Sequence, residues 1–146
     1  MYQKLSLLGS ELLIKVISNI KNNKSKLEIQ NETLKTLAPK IKKEQYKINW
    51  SKPLEQILNQ IKAFDPMPGA YAIFKNKRIK LFGAKKEEDN YLPDADPGCL
   101  FFKEDILLIK TITGYISVTH VHLEGKKIVN SKDFIKTLNN KEYLLD

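Results

Sequence analysis

Between residues 70 and 123 the chain is cut into short β-branched and aromatic runs by closely spaced turn signals, and this segmentation limits the fold more than any other feature. Residues 70–75 and 78–84 flank Asn76-Lys77 as a hairpin, and an acidic, Pro-containing loop follows from 85 to 97. Three further runs, 99–103, 106–111 and 115–123, are separated by Glu104-Asp105 and Thr113-Gly114. Five such strands are too few for a two-sheet sandwich and predict a small barrel of the oligonucleotide-binding (OB) type, whose closure would remove exposed edges. A helix precedes them: Ser51 is placed to cap it, Pro53 suits its first turn, and Leu54, Ile57, Leu58 and Ile61 form its buried stripe. It stops at Asp65-Pro66-Met67-Pro68-Gly69, where proline excludes helical angles from the residue before it. A last helix, capped by Ser131, runs through Asp133, Phe134, Ile135 and Leu138. The fold class expected is mainly β with flanking helices, an OB-like barrel preceded by one additional helix.

That additional helix occupies residues 1–23. Leu5, Leu8, Leu12, Leu13, Val16, Ile17 and Ile20 recur at three- and four-residue spacing, a one-faced pattern ending near Asn22-Asn23. A lone helix of about twenty residues cannot satisfy such a stripe, so it must dock within this chain or on another. Residues 24–48 keep neither strand alternation nor a helical face and read as an extended, lysine-rich connector. The small domain then occupies 49–146.

The 146 residues carry 25 Lys plus Arg against 17 Asp plus Glu, a formal net charge of +8. A field of that sign favours polyanions such as nucleic acid or anionic lipid. Ten of the lysines and only four acids fall in residues 1–48, so most of the excess sits in the first third. Compositional drift of a Lys-, Asn- and Ile-heavy sequence whose one arginine is Arg78 would raise the charge without any partner. No apolar run approaches the roughly 20 residues of a membrane-spanning helix, and the N-terminus lacks the apolar core of a signal peptide. A soluble, cytoplasmic protein with no membrane partner is expected. The single Cys99 excludes an internal disulfide and a multi-cysteine zinc site.

Nothing in the sequence assembles an active site. His120 and His122 lie two apart in a strand and share a face, the geometry of a two-histidine metal grip, with Cys99 or Glu124 as possible third ligands. Solvated or hydrogen-bonded histidines are the simpler account, and no metal is assigned. Cys99, beside Leu100-Phe101-Phe102, reads as a small buried hydrophobe. Glu87, Glu88, Asp89, Asp94 and Asp96 crowd one loop without implying a fixed pair. Trp50, Phe64, Tyr71, Phe74 and Phe82 would be stacking platforms if exposed, with the core as their default place. Lys40, Lys42, Lys43 and Lys47 on the connector, with Lys75, Lys77, Arg78 and Lys80 on the hairpin, are spaced so that several could face one phosphate backbone; a solvated face is the competing account.

Several of these stretches resemble one family in order. Ala38-Pro39-Lys40-Ile41-x-Lys43-Glu44, Ile48-Asn49-Trp50-Ser51-Lys52-Pro53 and the run 61–71 are similar to the linker and C-terminal domain opening of the methionyl-tRNA formyltransferases. Lys77-Arg78-Ile79-Lys80-Leu81, Pro97-Gly98, Leu123-Glu124-Gly125-Lys126-Lys127 and Asp133-Phe134 fall where that domain has similar residues, and Leu7-Leu8-Gly9-Ser10-Glu11-Leu12-Leu13 resembles the last helix of its catalytic domain. The departures are Lys62 for a common Arg, Met67 for a common Trp, and Val121-His122 where Gln often precedes the Leu-x-Glu-Gly run. The family's Asn-x-His pair, downstream Asp and His-x-Ser-Leu-Leu-Pro segment do not occur, so no catalytic residue is carried over and the chain is not expected to catalyse alone.

The resemblance implies a module whose basic linker and barrel bind initiator methionyl-tRNA. Formyl transfer from 10-formyltetrahydrofolate would fall to a catalytic domain outside this chain, and a separately encoded catalytic half is a possible partner. No cofactor is expected in this chain. A stand-alone nucleic-acid-binding module, or the C-terminal domain of another formyltransferase or formyltetrahydrofolate hydrolase, are the alternatives.

Overall fold

The computed structural model describes residues 2–88, 94–138 and 143–146. The chain divides into two compact units, Met1–Pro39 and Lys40–Asp146. In the first, the apolar periodicity forms helix α1 (Tyr2–Lys21), which ends where Asn23 takes a left-handed φ of 54°. Beyond it the chain makes a 3-10 turn at Glu32–Leu34, with the Asn31 side chain accepting from the Thr33 amide. The stripe from Leu5 to Ile20 is exposed, as are Leu27, Ile29, Leu34 and Leu37.

The second unit is mainly β with flanking helices, as the segmentation predicts. Helix α2 (Leu54–Phe64) buries Leu54, Ile57, Leu58 and Ile61. Nine strands follow among the described residues, where five were expected. They are β1 (Ala70–Phe74), β2 (Lys77–Phe82), β3 (Lys85–Glu87), β4 (Cys99–Lys103), β5 (Ile106–Thr111), β6 (Gly114–Val118), β7 (His120–Leu123), β8 (Ile128–Asn130) and β9 (Tyr143–Leu144), with α3 (Ser131–Lys136) before the last. All ladders between these strands are antiparallel, in the orders β1-β2-β7-β8 and β3-β6-β5-β4-β9.

The expected closed barrel is therefore corrected to two sheets, and the backbone shows why. On one side, β2–β3 and β6–β7 form a single ribbon that bends at Gly83 and Thr119, where the Phe82 carbonyl accepts from the Thr119 amide at 3.0 Å. Opposite, the sheets meet along a seam of single contacts rather than a ladder. β9 pairs with β4, Leu145 donates to Gly98, and Asp146 exchanges two hydrogen bonds with Ile73. The outer edge of β1 is thus covered by Asp146 and, further along, by Ile48, whose amide donates to the Tyr71 carbonyl at 2.8 Å. One core fills the space between: Ile79, Leu81 and Val121 from the first sheet, Leu100, Leu107, Ile109 and Ile116 from the second, with Ile57, Ile61 and Phe134 from the helices. Each such side chain, fully buried, stabilises the fold by about 1.5–3 kcal/mol. Trp50 and Phe74 belong to this core, and Phe64 packs against it.

Local assignments shift in four places. Ser51 does not cap α2; the hydroxyl of Thr113, in the β5–β6 turn, accepts from the Leu54 amide at 3.2 Å. Asn49 holds the Ser51 amide instead, at 2.9 Å, while buried Trp50 fixes that turn. The hairpin turn is Lys75-Asn76, both at positive φ (49° and 61°), with Phe74 and Lys77 as the closing pair. A two-residue turn of this mirror-image kind suits the twist of paired strands. Asn130 rather than Ser131 caps α3, accepting from the Asp133 amide at 2.8 Å, while the Ser131 hydroxyl donates to the Val118 carbonyl. Finally, the loop expected over 85–97 begins with strand β3; its carboxylate Asp89 lies outside the described residues, and Asp94 pairs with Lys110 at 3.1 Å.

Candidate nucleic-acid interface

Strand alternation and cross-strand register decide which polar side chains share a surface. On β2, Ile79 and Leu81 turn to the core, so Arg78 and Lys80 turn outward. The register aligns Tyr71, Lys80, His122 and Ile128 in one row across the first sheet, and Phe82, His120 and Asn130 in the next. The Arg78 guanidinium lies over the Tyr71 ring, 5.2 Å from its centroid. The end of the connector joins the same row, because Lys47 forms a parallel bridge with Tyr71. Lys47, Arg78, Lys80 and both histidines thus converge around the outward face of β1, β2 and β7.

The other predicted cations are placed differently. Lys75 sits in the hairpin turn with its Nζ 4.4 Å from the Tyr143 ring centroid and 5.4 Å from that of Phe74. That ammonium is held over an aromatic pair, an attraction of about 0.5–1 kcal/mol at an exposed site. Lys77 is the first residue of β2 and closes the hairpin opposite Phe74. Lys42 and Lys43 open a 3-10 turn (Lys43–Tyr46) that the Gln45 side chain pins by accepting from the Lys42 amide at 2.7 Å. Gln60 of α2 then donates to the carbonyls of Gln45 and Lys47, at 2.8 and 3.0 Å, and fixes the turn against the helix. Lys40 is exposed at the start of the unit. His120 and His122, which their spacing offers as solvated or hydrogen-bonded side chains or as a metal grip, join this face through their cross-strand partners, a pairing that no single run encodes.

Among the described residues, no group of three or more His, Cys, Asp and Glu is placed to hold a metal ion. Each histidine has a partner of its own: His122 Nε2 donates to the Lys126 carbonyl at 2.9 Å, and His120 Nδ1 lies 3.0 Å from the Thr119 hydroxyl. The Glu124 carboxylate accepts from the Arg78 amide at 3.1 Å, and Cys99 lies in the other sheet beside the small outer cluster of Phe101, Leu108 and Tyr115. Among the expected stacking rings, Phe82 is buried and Tyr71 half-buried. Burial raises the Tyr115 phenol above its ordinary pKa, against the opposing pull of Lys110. Among the described residues, no helix is long and apolar enough to cross a membrane.

Residues 40–139 match the family described as "Formyl transferase, C-terminal domain". Curated relatives named methionyl-tRNA formyltransferase include those of Thermodesulfovibrio yellowstonii, 32% identical over 91% of this chain, and Bacillus licheniformis, 33% identical over 93%. These matches cover 42% and 43% of the relatives, so the chain spans less than half the length of either. A solved structure of HypX from Aquifex aeolicus in complex with tetrahydrofolic acid shares the fold, with a TM-score of 0.66 and 23% identity, over 86% of this chain and 22% of HypX.

Proposed function

Because the chain belongs to the formyl transferase C-terminal domain family, we propose that it is the tRNA-holding module of a methionyl-tRNA formyltransferase, acting in the cytoplasm. Formyl transfer then belongs to the part of the relatives' length that this chain does not span. The observation that carries the reading is the gathering of Lys47, Arg78 and half-buried Lys80 around Tyr71, cations drawn from two distant parts of the sequence onto one outward face. Cations gathered on one face can follow a sugar-phosphate backbone, and such contacts supply affinity and orientation with little sequence information. Lys40, Lys42 and Lys43 extend the positive strip along the connector. The linker-to-β1 resemblance and the relatives' names favour tRNA over other polyanions.

Helix α1 has a place in this reading. Its exposed apolar stripe is the surface on which a catalytic half would reassociate. Mixing the chain with the matching N-terminal fragment of a relative should restore formylation of methionyl-tRNA, with the two co-eluting; neither co-elution nor activity would count against that part.

The direct test replaces Lys47, Arg78 and Lys80 together with Ala and measures tRNA binding across salt concentrations. Each lost phosphate contact should flatten the slope of log K against log salt by about 0.7–0.9, and binding should weaken uniformly across tRNA species. An unchanged slope would assign these cations to solvent.

A further inference from the structure

Beside the basic row lies an open groove of about 630 Å³ between the 3-10 turn and the solvent side of α2. That size falls within the roughly 300–1,000 Å³ typical of small-ligand sites. Five of its ten lining residues are neutral amides, and Glu44 places one carboxylate among them. Gln56 and Asn59 recur with Gln60 on the face of α2 opposite the buried Ile57 and Ile61, and all three line it. The Gln60 amide nitrogen is committed to holding the turn. The side-chain amides of Gln56 and Asn59 make no hydrogen bond among the described residues, so each offers a donor and an acceptor. Phe64, held edge-on by Tyr46 with ring centroids 4.9 Å apart, adds apolar surface. Lys47 and Lys52 also line the groove. Lys47 belongs both to the groove and to the basic row, so a backbone tracked along that row passes the groove's mouth.

We infer that this groove receives one unpaired nucleotide of the bound RNA. The Gln56 and Asn59 amides pair with the edge of its base, and Lys47 and Lys52 hold the flanking phosphates. A carboxamide matches the paired donor and acceptor of a base edge, and RNA is read mainly at splayed, unpaired bases of this kind. Phosphates alone would not explain the neutral amides, which add nothing to a field of lysines. The inference rests on the tRNA-binding reading above and assigns it a point of base contact.

The test uses the full chain with Gln56→Ala and Asn59→Ala combined, and measures tRNA affinity over a salt series. The expected result is about tenfold weaker binding with an unchanged salt slope, because base-edge contacts release no counterions. Unchanged affinity would overturn the base site while leaving the tRNA reading intact. Weaker binding with a flatter slope would also overturn it, since the loss would then come from phosphate contacts. No binding by the unsubstituted chain would instead remove the tRNA reading, and the base site with it. Gln56→Met with Asn59→Leu, which keep side-chain bulk and remove the amides, should give the same loss and guard against a folding defect in the first pair.

Discussion

Gly83 and Thr119 face each other where the ribbon passes from one sheet to the other. Gly83 has φ +64°, and a Cβ there would lie 2.0 Å from the Thr119 hydroxyl oxygen. Its amide also donates to the Asp65 carboxylate at 2.7 Å, tying the Pro-rich loop to the bend. Gly83→Ala combines a left-handed backbone with a steric clash and should cost at least about 2 kcal/mol, read as a lower denaturation midpoint with an unchanged m value. Tyr115 offers a pH-dependent counterpart. Its phenol pKa is raised by burial, so the neutral form is favoured in the folded state. The stability this carries is intact below the unfolded value of about 10 and is lost as pH rises through the folded value. Tyr115→Phe should reduce that alkaline loss in thermal unfolding measured from pH 9 to 11. None of this was legible beforehand. Gly83 gives no sign in sequence that Thr119 lies opposite, and Tyr115 looks like any strand tyrosine until the outer cluster with Phe101 and Leu108 is formed.

At the scale of elements, α2 shows what periodicity reveals and where it stops. Its four buried residues were readable from spacing alone, because a one-faced stripe leaves a helix few ways to pack. Its cap was not, since Thr113 reaches Leu54 from 59 residues away. Thr113→Ala should therefore destabilise by about 1 kcal/mol in chemical denaturation, whereas Ser51→Ala should leave the midpoint nearly unchanged. The hairpin moved by one residue for a related reason: the αL angles of Lys75 and Asn76 suit the mirror-image turn, and Phe74 is drawn inward as the last strand residue. That shift takes Lys75 out of the strand and onto the Tyr143 ring, while Arg78 and Lys80 share the outward face of β2. Division of the 115–123 run into β6 and β7 follows from the bend at Thr119, a contact between strands that no single run encodes.

At the scale of the molecule, the two sheets depend on a short C-terminal seam. Leu145 is 2% exposed, and its neighbours carry the hydrogen bonds that join β4 to the edge of β1. Leu145→Ala should cost about 2–5 kcal/mol and speed exchange of the Ile73 amide, which donates to Asp146, more than of amides in β5. The mainly β class was legible because strand runs and turns alternate so regularly. Closure was not, since whether a sheet seals by a ladder or by isolated contacts turns on the path of 143–146. The basic surface was half legible: its cations could be named, but only the Lys47–Tyr71 bridge selects which of them meet.

Under the proposed function, this surface holds a folded RNA rather than any polyanion. Competition between methionyl initiator tRNA and an unstructured single strand of equal length, at about 0.15 M salt, tests it most directly. The tRNA should displace the single strand at a several-fold lower concentration. Equal competition, or no measurable tRNA binding even in dilute buffer, would contradict it.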